Sequence, residues 1–135
     1  MQDGSHRLST LIHQRTIMSK VMIVDDDRTT VMLLQTLLEL DGFDVTIVPN
    51  GSAVIATVEH SLPDVILMDY HLTDMYGVEV LRDLRAHPAF GQIPVIITSG
   101  MDVSDEAMDA GANEFLVKPF EPGDLPALFN KHIAK

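Results

Sequence analysis

Cysteine is absent from the 135-residue chain, and basic residues are few. Without cysteine, the chain can form no disulfide scaffold, no thiolate zinc site and no cysteine nucleophile. Lys and Arg number 9 against 20 Asp and Glu, which gives a formal net charge of −11. This charge repels nucleic acid on average, whereas it attracts a cation or a basic partner. We therefore expect no direct nucleic-acid binding by this segment.

Long apolar runs are lacking as well. None approaches the ~18–20 residues that span a bilayer. No apolar stretch follows the N-terminal arginines in the manner of a secretory signal. Together with the lack of cysteine, these features predict a cytoplasmic protein that does not bind membranes.

The length fits one domain, with a break in charge near the start. Residues 1–17 carry a net charge of +1, which leaves −12 for the residues from Met18 onward. This break and the internal methionine predict a poorly ordered leader or tag over residues 1–17. We expect a single folded domain over residues 18–135.

Two hydrophobic periods alternate from residue 20 onward. Short, fully apolar runs such as residues 65–68 are typical of strands buried on both faces. The predicted strands cover residues 21–24, 43–47, 65–68, 94–98 and 115–117. The predicted helices cover about residues 29–40, 52–60, 77–86, 104–110 and 124–134, the first capped by Thr29 or Thr30. This order predicts an α/β fold with a doubly wound, five-stranded parallel sheet flanked by five helices.

Polar side chains follow four of the predicted strands. They are Asp25 with Asp26, Asp69, Ser99 and Lys118. Ligands of open α/β sheets bind outside the carboxyl ends of the strands, so these groups are expected at one edge. Neighbouring carboxylates repel one another unless a cation lies between them, and hard oxygen ligands select Mg²⁺ or Mn²⁺. One carboxylate could then act as the nucleophile of a phosphoryl transfer.

Four motifs carry a resemblance to a known family. They are Val-Asp-Asp-Asp at 24–27, Leu-Met-Asp at 67–69, Thr-Ser-Gly at 98–100 and Phe-Leu-Val-Lys-Pro-Phe at 115–120. Over residues 19–135 the chain resembles the receiver domain of two-component response regulators, which has a flavodoxin-like fold. The resemblance implies a phosphoacceptor in a phosphorelay that takes a phosphoryl group from a histidine kinase, a phosphotransfer protein or acetyl phosphate. Such a domain is not an enzyme beyond its own phosphorylation and dephosphorylation.

The resemblance also implies roles for individual residues. Asp69 is the expected phosphoacceptor, Lys118 the lysine that contacts the phosphoryl group, and Ser99 and Phe115 the switch pair that alters the output face. The expected metal ligands are Asp25, Asp26, Asp69 and the backbone carbonyl of His71. His71 and Met101 are expected to tune the lifetime of the phosphoryl group, and Lys118–Pro119 is expected to be a cis peptide.

Two other functions remain open from the residues. Asp25-x-Asp27-x-Thr29 after a strand is similar to the motif of haloacid-dehalogenase-type phosphatases, with Asp25 as nucleophile and Asp27 as acid and base. In this hypothesis, Thr98 or Ser99 and Lys118 take the roles that such residues have in these phosphatases. The hypothesis leaves Asp69 without a role. The second alternative is a receiver-like interaction module that works without phosphorylation.

Three features depart from the family pattern. Thr73 stands where relatives usually have Pro, and Tyr76 where they have Asp, so the loop after Asp69 is predicted to be looser. The segment from residue 99 to residue 118 is short, which predicts an altered fourth helix. The apolar residues of the first helix cover more than one core-facing stripe. This pattern favours one of two arrangements: a wide core face that the leader covers, or a face that binds a second copy of the chain or another partner.

Overall fold

A computed structural model describes residues 18–133, so the predicted leader at residues 1–17 lies outside the described residues. The strands are β1 (Lys20–Val24), β2 (Asp44–Val48), β3 (Val65–Asp69), β4 (Val95–Ser99) and β5 (Glu114–Val117). All pairs are parallel, in the order β2-β1-β3-β4-β5. The predicted doubly wound parallel sheet is confirmed.

Within residues 18–133, five α-helices connect or follow the strands. They are α1 (Arg28–Leu40), α2 (Val54–Ser61), α3 (Gly77–Arg85), α4 (Ser104–Asp109) and α5 (Leu125–Ile133). Two 3-10 turns, Gly51–Ala53 and Pro122–Asp124, precede α2 and α5. No helix between residues 18 and 133 has the length and apolar character that a membrane span requires.

Apolar side chains form a core on each face of the sheet. Helices α1 and α5 cover one face with Leu34, Leu38 and Phe129, while α2, α3 and α4 cover the other. Strand β4 is buried along its whole length, which explains its unbroken apolar sequence. Two buried cores leave the carboxyl ends of the strands as the place where polar groups can gather.

The ends of several elements differ from their predicted positions. Helix α1 begins at Arg28 with Asp27 at the N-cap position, so capping by Thr29 or Thr30 is wrong. The hydroxyl of Thr30 instead donates to Asp27 Oδ2 at 2.8 Å. Phe43 lies before β2 and packs edge-on against Phe129, with 5.8 Å between ring centroids. Helices α2 and α5 begin later than predicted, at Val54 and Leu125, because a 3-10 turn precedes each of them. A turn this short has no sequence period that distinguishes it from the first turn of an α-helix.

Helix α1 carries more apolar side chains than its core face uses. Val31, Leu34 and Leu38 are buried. Four others are exposed, namely Met32 at 65%, Leu33 at 54%, Leu37 at 38% and Leu40 at 79%. The sequence predicts that either the leader or a partner covers this face. Neither lies among the described residues, so both alternatives stay predictions.

Candidate functional site

Three carboxylates meet where two neighbouring strands end. Asp25 directly follows β1 and Asp69 ends β3, and these strands pair through residues 21–24 and 65–68. One carboxylate oxygen from each of Asp25, Asp26 and Asp69 lies within 4.8 Å of the others. Asp25 is buried, Asp69 is half-buried and Asp26 is exposed. The site is therefore open to solvent on the Asp26 side.

Backbone hydrogen bonds fix two of these carboxylates. The amide of Asp27 donates to Asp25 Oδ1 at 2.9 Å. The amide of His71 donates to Asp69 Oδ1 at 3.3 Å. Because these donors belong to the loops that leave β1 and β3, the strand ends themselves orient the acids.

Lys118 brings a positive charge to the same place from β5. Its amide donates to the carbonyl of Ser99 at 2.7 Å, which continues the ladder between β4 and β5. Its Nζ lies 3.2 Å from Asp69 Oδ2 and 3.4 Å from Asp25 Oδ2. The peptide between Lys118 and Pro119 is cis, as the sequence predicts.

The charges at the site perturb one another. Burial raises the pKa of Asp25, and the nearby Asp69 carboxylate adds to the rise, against the opposing effects of the Asp27 amide and the Lys118 ammonium. Burial alone would lower the pKa of Lys118, but the carboxylates of Asp25 and Asp69 outweigh it and raise that pKa. One ammonium therefore does not fully compensate three carboxylates. A hard divalent cation fits this donor set and this excess of negative charge.

Gly77 allows the chain to pass close to the end of β3. Its amide donates to the carbonyl of Tyr70 at 2.7 Å. A Cβ at this position would collide with the backbone carbonyl oxygen of Asp69. Only glycine fits here at the start of α3 without displacing the end of β3.

The predicted switch residues lie on β4 and β5. Ser99 is 1% exposed, and its hydroxyl accepts a hydrogen bond from the amide of Met101 at 3.1 Å. Phe115 is half-buried and packs against the core under α2, α3 and α4. Met101 and His71 are both exposed at the rim of the site. These positions agree with the predicted placement, and the residues' roles stay predictions.

Side-chain hydrogen bonds hold the loop between β3 and α3. The Asp74 carboxylate accepts hydrogen bonds from the amides of Gly51 at 2.8 Å and Ser52 at 2.9 Å, and these bonds lower its pKa. The hydroxyl of Thr73 donates to Asp26 Oδ2. These side-chain contacts anchor the loop at two points, and its looseness relative to a loop with the proline stays a prediction. Sequence reasoning missed both contacts, and the signal that could have found one of them was a hydroxyl at position 73, where the family pattern has proline.

Tyr70, directly after β3, contacts α4. Its hydroxyl donates to Glu106 Oε1 at 2.8 Å, and this bond is the main cause of a raised pKa of Tyr70. The rings of His71 and Tyr76 lie 4.8 Å and 5.3 Å from the ring of Tyr70. No motif or period in the sequence predicts this contact, which joins residues 36 apart. The residue after Asp69 is thus in direct contact with the short fourth helix.

Asp27 lies outside the acidic cluster. It is exposed, and the hydroxyl of Thr30 lowers its pKa by hydrogen bonding to its carboxylate. The phosphatase alternative needs Asp27 beside the nucleophile Asp25, whereas the cluster contains Asp69 in that place. The geometry favours the receiver arrangement.

Comparison with known proteins agrees with this arrangement. Residues 21–130 match the family described as the response regulator receiver domain. The chain therefore belongs to that family, and it has the receiver fold of two-component response regulators.

Two curated relatives illustrate the similarity. The DNA-binding response regulator MtrA of Mycolicibacterium smegmatis is 32% identical over 115 residues, which cover 83% of this chain and 49% of that protein. The transcriptional regulatory protein KdpE of Staphylococcus aureus is 34% identical over 112 residues, covering 81% of this chain and 47% of that protein. The chain spans about half the length of the curated relatives it matches.

Solved structures give the same result. A response regulator from Chloroflexus aurantiacus superimposes with a TM-score of 0.82 and 29% identity, covering 87% of this chain and 99% of that one. The receiver domain of a sensor histidine kinase from Pseudomonas aeruginosa superimposes with a TM-score of 0.80 and 26% identity, with the same coverage. That neighbour holds a magnesium ion in its active-site cleft.

Proposed function

We propose that the chain is a Mg²⁺-dependent phosphoacceptor that receives a phosphoryl group on Asp69 from a histidine kinase or phosphotransfer protein in the cytoplasm. The observation that carries the proposal is the position of Lys118 Nζ, 3.2 Å from Asp69 and 3.4 Å from Asp25. A lysine at this point can neutralise charge on an incoming phosphoryl oxygen. A purely structural ion pair would not need the additional carboxylate of Asp26.

Three side chains and one backbone group would hold the ion. They are Asp25, Asp26, Asp69 and the carbonyl of His71. When bound, Mg²⁺ (or Mn²⁺) supplies positive charge that neutralises the carboxylates and the phosphoryl oxygens. The magnesium ion in the similar Pseudomonas receiver domain supports this assignment.

In the proposed transfer, a carboxylate oxygen of Asp69 attacks the phosphorus atom. A P–O bond to Asp69 forms, and the bond from phosphorus to the donor's histidine nitrogen, or to the acetate oxygen of acetyl phosphate, breaks. The electron pair of the broken bond stays on the donor. Hydrolysis by water later breaks the P–O bond to Asp69, releases inorganic phosphate and restores the carboxylate. The proposed chemistry is therefore the modification and recovery of the chain itself.

The switch follows from where Ser99 sits. Its hydroxyl contacts the amide of Met101 in the present state, and it lies at the end of β4, next to the strand that ends in Asp69. We infer that a phosphoryl oxygen on Asp69 draws this hydroxyl away. Phe115 then turns into the space vacated, and the surface around α4 and β5 changes. His71 and Met101 at the rim would control the access of water.

The experiment is phosphorylation by acetyl phosphate with Mg²⁺. Wild type should gain one phosphoryl group, seen by intact mass and lost on treatment with hydroxylamine. Asp69→Asn should gain none, whereas Asp83→Asn, which removes an exposed carboxylate on α3, should behave as wild type. A wild-type chain that gains no group, with Mg²⁺ present, would favour the interaction module instead. Loss in Asp25→Asn with retention in Asp69→Asn would favour the phosphatase.

A further inference from the structure

Thr73 touches the metal site from a position that the family pattern does not use for a hydrogen-bond donor. Its hydroxyl donates to Asp26 Oδ2 across 47 residues of sequence. Within residues 18–133 the Asp26 carboxylate accepts its one hydrogen bond from this hydroxyl. The other two carboxylates are oriented differently, by backbone amides and by Lys118.

Asp26 is the acid that most needs orienting. It is exposed, whereas Asp25 is buried and Asp69 is half-buried. An exposed aspartate samples several side-chain rotamers, and fixing one of them on metal binding costs conformational entropy. A hydrogen bond that fixes the rotamer beforehand removes part of this cost. A hydroxyl that donates to an ionised carboxylate makes a charge-assisted bond, which is stronger than a neutral one.

The loop that carries Thr73 is anchored on both sides of it. Asp74 accepts from the amides of Gly51 and Ser52, and the amide of Leu72 donates to the carbonyl of Met75 at 3.2 Å. The hydroxyl of Thr73 is therefore presented by a fixed backbone. A proline at this position would stiffen the loop but would leave Asp26 without the hydroxyl donor.

We propose that Thr73 is a positioning residue for the Mg²⁺ site, which holds Asp26 in its ligating orientation. The inference rests on the proposed Mg²⁺-dependent function. The hydroxyl occupies one lone pair of Oδ2, and the remaining carboxylate lone pairs would stay available to a metal ion. Partners of this kind around metal ligands commonly change metal affinity by about 10-fold to 100-fold. The proline of the family pattern would make the loop rigid. Thr73 instead gives the loop a hydrogen bond to a proposed metal ligand, Asp26.

The test measures Mg²⁺ affinity rather than phosphorylation. Mg²⁺ is titrated into ¹⁵N-labelled full chain, and the amide signals of Asp27 and His71 are followed because both amides donate to cluster carboxylates. Thr73→Val, which keeps the shape and removes the hydroxyl, should weaken binding about 10-fold, and Thr73→Ser should stay within about twofold of wild type. Thr36→Val, which removes an exposed threonine hydroxyl on α1, should not change the affinity.

Phosphorylation by acetyl phosphate gives a second readout. Thr73→Val should be slow at Mg²⁺ concentrations below its dissociation constant and should recover at saturating Mg²⁺. Thr73→Ala, which also removes the hydroxyl, serves if the valine variant does not fold. If wild type binds Mg²⁺ and both hydroxyl-free variants bind it equally well, the positioning role is overturned and the proposed function stands. If wild type binds no Mg²⁺, the proposed function fails first.

Discussion

Asp25→Asn removes the most buried of the three site carboxylates and should stabilise the protein in the absence of Mg²⁺. Burial raises the pKa of Asp25, so its ionised form is less favourable in the folded state than in the unfolded chain. This unfavourable contribution is absent below the ordinary pKa of 3.8, grows as the pH rises from that value to the raised pKa of the folded state, and is complete above it. Asparagine keeps the shape and removes the charge.

The distances set the size of the effect. One oxygen of each carboxylate lies within 4.8 Å of the others, and at that upper limit and an effective dielectric constant of about 20 two like charges repel by about 3.5 kcal/mol. The Lys118 ammonium, 3.4 Å from Asp25, attracts it by about 5 kcal/mol on the same scale. Repulsion from two carboxylates thus exceeds one attraction by about 2 kcal/mol, and screening at the exposed Asp26 reduces this to about 1 kcal/mol at neutral pH.

Mg²⁺ should reverse the order of stability. A ligand that binds only the folded state stabilises it by about 1.4 kcal/mol at ten times its dissociation constant and about 2.7 kcal/mol at a hundred times. Wild type should gain this stabilisation, and Asp25→Asn should gain little because it lacks one ligand. At high Mg²⁺ the wild type becomes the more stable protein.

The assay is urea unfolding followed by circular dichroism at neutral pH, with EDTA and with increasing Mg²⁺. Asp83→Asn serves as the control for loss of an exposed carboxylate and should stay within about 0.5 kcal/mol of wild type. Repeating the EDTA series below pH 3.8 should abolish the difference between Asp25→Asn and wild type. A variant that is less stable than wild type in EDTA at neutral pH would refute the electrostatic reasoning. An equal response of both proteins to Mg²⁺ would refute the role of Asp25 as a ligand.

Three further predictions concern the frame of the site. Gly77→Ala should destabilise the fold by about 1–3 kcal/mol, measured by urea unfolding, and slow phosphorylation, because its Cβ would press on the carbonyl of Asp69; an unchanged stability would contradict this. Arg85→Met should lower the free energy of unfolding by about 2–4 kcal/mol in the same assay, because four hydrogen bonds from this half-buried guanidinium to backbone and side-chain oxygens are lost. A loss below about 1 kcal/mol would show that water replaces these hydrogen bonds. A hydrogen bond from His132 is the main cause of a lowered pKa of Glu114, so its stabilising effect is present above the ordinary value of 4.5 and lost as the pH falls through the folded value. Glu114→Gln should flatten the acid limb of a stability–pH curve, and an unchanged limb would exclude this pair.

The sheet and the acidic cluster could be predicted because both follow from simple rules. An unbroken apolar run of four residues, such as 65–68, has few uses other than a strand buried on both faces. Once the strands are parallel, the residues that follow them must meet at one edge, which brings Asp25, Asp69 and Lys118 together. The roles given to these residues came from the family resemblance.

The missed contacts are of a different kind. Thr73 with Asp26, and Asp74 with Gly51, join loops that are 47 and 23 residues apart in sequence. No hydrophobic period and no strand end predicts a contact between side chains of two loops. The positions of such side chains depend on where the strands and helices place both loops. The start of α1 was missed for a local reason: Asp27, Thr29 and Thr30 are all good caps, and the pattern of apolar residues does not choose among them.

Lys118 lies 93 residues from Asp25, and it follows the last strand of the sheet. During translation the acids leave the ribosome well before this lysine, and β5 must still add to β4 to carry it into place. A nascent or truncated chain therefore has a set of unbalanced acids and no ammonium among them. Under the proposed function, such a chain lacks the ammonium that would neutralise charge on an incoming phosphoryl oxygen, so it should accept a phosphoryl group more slowly than the completed domain.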